Sequence, residues 1–324
     1  MASGFVGRRV GQALFTIAMI VILNFVLFRL MPGSPERATL RIPGISPEVY
    51  AATRARLGLD KPIFPDQLVA YVGATARGDL GYSYKYRGQP VSEVIGQRVW
   101  PTLILFGLGE VLAIAAGLAL GAYTGWRRGG PVDYVGNGLS LVLYSMPYFL
   151  LGMILLVIFA VGLGWFPVSG MFTIGGVYPS FVDKLADFGR HLVLPLATVS
   201  LGLIGQYSIL MRSSVIETLG EDYITTARAK GIVDRRVLTR HAIPNAMLPT
   251  VSLIAINLGY LIAGAITVEV VFNWPGLGTL TVDALAARDY PVLQGIFLFL
   301  SISVVLANLA ADVIYGWLDP RVRT

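Results

Sequence analysis

Cysteine is absent from the 324-residue chain, and histidine occurs only twice, at His191 and His241. Without thiols there are no disulfide staples and no thiolate metal sites. Two isolated imidazoles supply neither a metal cage nor an activated nucleophile. No G-x-x-x-x-G-K-[ST] run is present, and Lys230 precedes a glycine instead of following one, so the chain has no phosphate loop of the usual kind. Neither G-x-S-x-G nor H-E-x-x-H occurs, and no paired catalytic groups are visible for an intramembrane enzyme. Charge is scarce as well: 14% of residues are charged, against about 25% in a soluble domain.

In their place are long apolar runs. Hydrophobic residues make up 55% of the chain and mean hydropathy is +0.69. A helix needs about 20 predominantly apolar residues to cross a bilayer, because each backbone amide must find its partner inside the segment. Six stretches qualify: 10 to 30, 100 to 125, 135 to 163, 192 to 212, 246 to 271 and 291 to 317. Pro195 and two glycines interrupt the fourth. The first span, preceded by Arg8 and Arg9, exceeds a secretory h-region and lacks a small-residue cleavage site in Met31-Pro32-Gly33-Ser34-Pro35, so it reads as an uncleaved anchor.

Orientation follows from where cations fall in short loops. Arg8 and Arg9, Arg127 and Arg128, and Arg321 and Arg323 lie on one side. Arg212, Arg228, Lys230, Arg235, Arg236 and Arg240 join them there, against Lys184, Arg190 and Arg288 opposite. Both termini are therefore expected in the cytoplasm, and residues 31–98 outside. The net charge of +6 and pI of about 9.5 follow from the same bias and call for no nucleic-acid partner.

Several residues stand out against this background. Glu221-Asp222-Tyr223-Ile224-Thr225-Thr226-Ala227-Arg228-Ala229-Lys230-Gly231 is a charged, helix-forming segment between two spans. Asp234 through His241 and then Pro244 follow it. A short helix, a glycine break and a second short helix, anchored at both ends in lipid, make a rigid knob that another protein can grip and move. Small Ala227 and Ala229 permit close docking, Asp234 is positioned to cap the second helix, and Arg235, Arg236 and Arg240 offer donors to carboxylates.

Gly117, Gly121 and Gly125 recur every four residues, so one face of the second span admits a close neighbour, within the chain or across a subunit interface. Pro147 and Gly152 in the third span, with Pro195, Gly202 and Gly205 in the fourth, suggest kinks or loosened packing. Glu110 is the deepest ionisable residue; it lines a substrate route, binds a coupling proton or pairs with a polar group on a neighbouring helix. Tyr82, Tyr84, Lys85, Tyr86 and Arg87, with Tyr71, form either a docking surface for an external protein or a membrane-interface belt.

The segment 222–231, with Pro244 at the expected distance after Gly231, resembles the E-A-A-x-x-x-G signature of the permease subunits of binding-protein-dependent ABC importers. Thr225 and Thr226 replace the generic Glu and Ala, and His241-Ala242-Ile243-Pro244 stands for I-x-L-P. This T-A-R-A-K-G wording is similar to the dipeptide and oligopeptide branch. Leu57 to Pro62, Gly78 to Ser83, Gly164-Trp165-Phe166-Pro167, Val271 to Gly278 and Asp319-Pro320-Arg321 resemble that branch's landmarks in order. Pro32-Gly33-Ser34-Pro35 departs from its usual Pro-Gly-Asp-Pro.

The resemblance implies an all-α integral membrane protein with six transmembrane helices in the type I ABC importer permease fold. The layout it implies is a tail and first helix over 1–30, an external segment over 31–98, and a five-helix core over 99–317 with a coupling loop at 213–245. A cytoplasmic tail closes it at 318–324. It further implies import of di- or oligopeptides, a paralogous permease partner, an external substrate-binding protein, and a cytoplasmic ATPase subunit against which Glu221, Asp222, Tyr223, Thr225, Thr226, Ala227, Arg228, Ala229, Lys230, Gly231, Arg235, Arg236 and Pro244 are seated. ATP and Mg would be bound by the partner subunits and no cofactor by this chain. Nickel chelates, opines, glutathione or oligosaccharides are alternative cargoes in the branch; an ion-coupled secondary transporter using Glu110 is the alternative outside it.

Overall fold

A computed structural model describes residues 2–30, 61–86, 88–260 and 266–318. Positions 31–35, 57–60, Arg87 and 319–323, quoted above, lie outside these. The regular secondary structure of the described residues is helical, with one isolated pairing of Tyr82 with Pro90; turns and irregular stretches, such as 163–180, join the helices. The helices are α1 (Ala2–Leu30), α2 (Leu68–Ala76), α3 (Val91–Trp126), α4 (Pro131–Ser145), α5 (Tyr148–Leu155), α6 (Phe181–Leu219), α7 (Asp222–Ala229), α8 (Asp234–Val237), α9 (Ile243–Tyr260), α10 (Ile266–Val271), α11 (Leu277–Ala287) and α12 (Tyr290–Leu318).

Among the described residues, four helical segments are long and apolar enough to cross a membrane: Val6–Arg29, Val91–Trp126, Phe181–Leu219 and Tyr290–Ala310. A fifth is present if α4 and α5 count together, with the π turn Leu156–Gly162 that extends α5. The count of six is thus not reached among the described residues. The third expected span is broken: α4 and α5 meet at 106°. Met146 is extended there, as the residue before a proline is driven to be, and Pro147 starts α5. Of the fifth expected span, the described parts are α9 and α10, and 261–265 lie outside the described residues.

Two helices are longer than expected. α3 begins at Val91, inside the segment expected to be external, and α6 runs for 39 residues without stopping at Pro195. Ser180 starts α6 with a capping box: its hydroxyl accepts the Asp183 N–H at 3.2 Å while the Asp183 carboxylate accepts the Ser180 N–H at 3.1 Å.

The chain divides into two compact units, residues 1–100 with 276–324, and residues 101–275, a division different from the expected 99–317 core. In the first unit α1, α2 and α12 meet around buried Phe25, whose ring lies 5.4 Å from Tyr71 and 6.0 Å from Phe64. Asn24 donates to the Tyr71 hydroxyl at 3.0 Å and to the Gln294 carbonyl at 3.1 Å. Arg9 pairs with Asp312 at 3.2 Å, so the start of α1 and the end of α12 lie side by side.

In the second unit the glycine repeat of α3 packs inside the chain. A Cβ on Gly117 would sit 2.6 Å from Tyr207 Cβ, one on Gly125 2.9 Å from the Arg212 carbonyl oxygen, and one on Gly121 would collide with the Ser208 carbonyl. Gly109 meets Val199 in the same way and Ala113 is fully buried, so the small-residue stripe runs from 109 to 125. Gly152, Gly202 and Gly205 mark close contacts rather than loosened packing: their missing Cβ atoms make room for Phe272, the Tyr148 ring and the Ser140 carbonyl respectively. A core of Leu105, Phe106, Val199, Phe272 and Trp274 lies nearby, the Trp274 indole N–H donating to the Pro101 carbonyl at 2.9 Å.

Gly121→Leu is therefore expected to destabilise the purified chain in detergent by at least about 1–3 kcal/mol, the usual cost of overpacking. Gly107→Ala, where a Cβ meets nothing within 4 Å, should change stability by no more than about 1 kcal/mol. Unfolding midpoints of the two variants compared with wild type check this.

Candidate functional site

Between α6 and α9 the chain forms a compact elbow. Ile224, Ala227, Val237 and Ala242 are buried together, with Leu219, Ile232 and Leu238 packed against them. α7 ends in a Schellman turn: the Ile232 N–H donates to the Ala227 carbonyl at 3.3 Å and the Gly231 N–H to the Arg228 carbonyl at 2.9 Å. The residue after the cap must be left-handed in this turn, and Gly231 has φ 74°. A side chain there would cost about 1–2 kcal/mol. Ala227 and Gly231 are four apart because one receives the long bond and the other makes the turn. The A-x-x-x-G spacing is thus the spacing of the turn itself.

The expected contact residues separate into two sets. Asp222, Tyr223, Thr225, Thr226, Arg228, Ala229, Lys230, Arg235 and Arg236 are exposed on the elbow, as are Glu221 at its entry and Pro244 at its exit. Ala227 is not among them. It is 6% exposed and faces the elbow's own core, so its small size serves internal packing and not a docking surface. Asp234 also differs from expectation. Val233 is the N-cap of α8, with no side-chain bond, and Asp234 pairs with Arg228 at 3.7 Å across the turn. Arg228 also lies over the Trp126 ring at 5.9 Å, bringing the elbow against the end of α3. A π turn, Leu238–Ala242, leads into Pro244, whose missing N–H and ring would disrupt a tighter ladder.

Glu110 is buried and its carboxylate accepts the Tyr207 hydroxyl of α6. Asn257 of α9 donates to the same Tyr207 oxygen at 2.9 Å and to Gln206 at 3.3 Å. Of the readings open for Glu110, pairing with a neighbouring helix is the one observed, and the pair joins α3, α6 and α9.

The tyrosine-rich segment is a small hairpin before α3. Ser83 N–H donates to the Gln89 carbonyl and Val91 N–H to the Gly81 carbonyl, both at 2.9 Å. Tyr82 and Lys85 are exposed, and Tyr84 and Tyr86 half-buried. The hairpin is held by Asp289, a fully buried carboxylate that accepts the Ser83 hydroxyl at 2.5 Å and the Lys85 N–H at 2.9 Å. Lys85 Nζ adds an ion pair to Asp283 at 3.2 Å.

Sequence reasoning missed Asp289, Tyr207 and a further pair, Asp133 with Arg212. Arg212 Nε donates to Asp133 Oδ1 at 2.6 Å and Nη2 to Oδ2 at 2.9 Å. No spacing signal announces these partners, since they are 204, 97 and 79 positions from the groups they hold. Of the landmark stretches, Phe166, Val271, Phe272 and Trp274 are packing residues: Phe166 packs on the core that contains Phe272 and Trp274, and the Gly170 N–H donates to the Phe272 carbonyl at 2.8 Å.

Residues 117–324 match the family described as binding-protein-dependent transport system inner membrane component, and the match takes in the elbow and the α6 to α12 framework. The chain belongs to this family. The permease is 40% identical to the dipeptide transport system permease protein DppB of Escherichia coli K12, with 98% of each chain covered. It is 37% identical to the di/tripeptide transport system permease protein DppB of Pseudomonas aeruginosa, again with 98% of both chains covered. At 38% it is also similar to the glutathione transport system permease protein GsiC of Salmonella choleraesuis, with 98% coverage of each. Among solved structures, inward-facing conformations of the MetNI methionine ABC transporter match with a TM-score of 0.56 at 17% identity, over 70% of this chain and 96% of that one. That likeness shows the type I importer permease fold. The permease is thus a transporter membrane component of the inner membrane.

Asp289→Ala would leave the Ser83 hydroxyl and the Lys85 N–H without their acceptor, a cost of about 1–3 kcal/mol. The expected outcome is faster proteolysis within 82–90 at an unchanged rate of cleavage in the elbow, read by limited digestion and mass mapping.

Proposed function

We propose that this permease forms half of the translocation path of an ATP-driven importer of di- and oligopeptides and receives the force of ATP hydrolysis through the elbow at residues 221–244. The observation that carries the reading is the elbow's construction. A body with its own core and a glycine-locked turn, tied to α3 through Arg228 and Trp126, keeps its shape when pushed. The exposed side chains Asp222, Tyr223, Thr225, Thr226, Ala229, Lys230, Arg235 and Arg236 are the surface offered to an ATPase subunit, while Ala227 and Gly231 keep that surface in form. ATP and Mg are then bound by the ATPase partners, and this chain binds no cofactor of its own.

The positive-inside bias supports cytoplasmic termini and a cytoplasmic elbow. The Arg9 to Asp312 pair, joining the start of α1 to the end of α12, is consistent with both termini on one face. A paralogous permease completes the path, and an external binding protein delivers cargo near the hairpin of Tyr82, Tyr84, Lys85 and Tyr86. Peptide cargo is supported by the dipeptide and di/tripeptide relatives. Glutathione, itself a tripeptide, is the second reading that a relative favours.

In proteoliposomes carrying the full importer with its binding protein, Gly231→Trp and Ala227→Leu are expected to leave insertion and subunit assembly intact while uptake per ATP hydrolysed falls by about tenfold or more, the scale of losing one to two kcal/mol of coupling. Normal substrate-stimulated hydrolysis and uptake in both variants would remove these positions from the coupling role. A photo-crosslinker at position 84 or 86 should label the binding protein; exclusive labelling of lipid would assign the hairpin to the membrane interface instead.

A further inference from the structure

We propose that Asp133 and Arg212 are a positioning pair for transport, fastening α4 to α6 so that displacement of α6 by the elbow carries α4 with it. This rests on the reading of the elbow as the site where force enters. Contacts run along the α4 and α6 seam in antiparallel order. Gly205 admits the Ser140 carbonyl and Tyr144, the Ser140 hydroxyl donates to the Ser208 hydroxyl at 2.9 Å, and Arg212 grips Asp133. Positions 205, 208 and 212 share one face of α6, and 144, 140 and 133 one face of α4.

The first two contacts lie toward the Pro147 break, where α4 bends by 106° into α5. The ion pair lies at the opposite end of α4, two turns of α6 before its terminus at Leu219. At that end Gly136 packs on Thr124 of α3, and the ion pair is the polar tie from α4 to α6. The geometry suits a fastener. Two parallel bonds, at 2.6 and 2.9 Å, resist rotation as well as separation, which a single bond does not. The Gly129 N–H donates to Asp133 Oδ2 at 2.9 Å, so the carboxylate is fixed to its own turn before it meets the arginine. The Asp133 side chain is 5% exposed and that of Arg212 24%, which separates this pair from solvated bridges of little consequence. Removing either partner strands the other in a desolvated position.

The test uses the complete importer with its partner subunits and binding protein in proteoliposomes, measuring uptake and ATP hydrolysis together. ATP-driven uptake by the wild type is the control that separates failure of the functional reading from failure of the pair. Asp133→Asn is expected to keep assembly and hydrolysis while uptake per ATP falls at least about fivefold, the lower range of coupling between sites. Asp133→Cys with Arg212→Cys introduces two thiols into a cysteine-free chain. Joined by a short bifunctional thiol reagent, they should restore the wild-type ratio. If Asp133→Asn fails to assemble, Arg212→Lys, which keeps the charge but gives up the two-point grip, is expected to show the same fall. An unchanged ratio in the assembled variant, or a joined pair that remains uncoupled, overturns the proposal.

Discussion

The unit formed by residues 101–275 depends on two helix backbones being allowed to touch. Lipid tails are as apolar as leucine, so association inside a bilayer gains little from hiding apolar surface and relies on close van der Waals packing and hydrogen bonds. α3 supplies that contact with a file of Gly109, Ala113, Gly117, Gly121 and Gly125, and the carbonyls and Cβ atoms of Ser208, Tyr207 and Arg212 fill the space where side chains would be. The close approach has chemical consequences. It brings the Tyr207 hydroxyl within reach of Glu110, and Asn257 of α9 can then bond the same oxygen, so three helices share one buried polar group network.

The elbow is held by different physics. Ile224, Val237 and Ala242 are hidden by their own short segment, and the turn at Gly231 is set by backbone conformation and two main-chain bonds. In the proposed coupling role a loop with many conformers would not serve, because each accessible conformer absorbs displacement. The internal core removes that freedom, and Arg228 adds a contact to Trp126 beyond the covalent connection to α6.

Features encoded by local chemistry were legible in the sequence. The apolar runs, the four-residue glycine repeat, the break at Pro147 and the left-handed turn at Gly231 each follow from a constraint visible in one short window. Features decided by distant partners were not. Pro195 and Pro147 are the same letter in similar apolar surroundings, yet one lies inside a continuous helix and the other ends one. The start of α6 had a readable signal, Ser180 three residues before Asp183, which a search by hydropathy alone passes over. Ala227 had one as well: it lies three residues after Ile224, the spacing of one helix face, and so belongs with the buried side of α7. Asp289 and Tyr207 carried no signal, because a single polar residue says nothing of a partner far away in the chain.

α6 has one further property that follows from its length alone. Thirty-nine helical residues extend about 58 Å at 1.5 Å per residue, nearly twice the hydrocarbon thickness of about 30 Å. A rod that overhangs the bilayer magnifies angle into distance: a tilt of about 5° about one end sweeps the other through roughly 5 Å, close to the pitch of a helical turn. Under the proposed rocking, small motion at one aqueous surface would therefore arrive at the opposite surface as a displacement large enough to part or seat side chains.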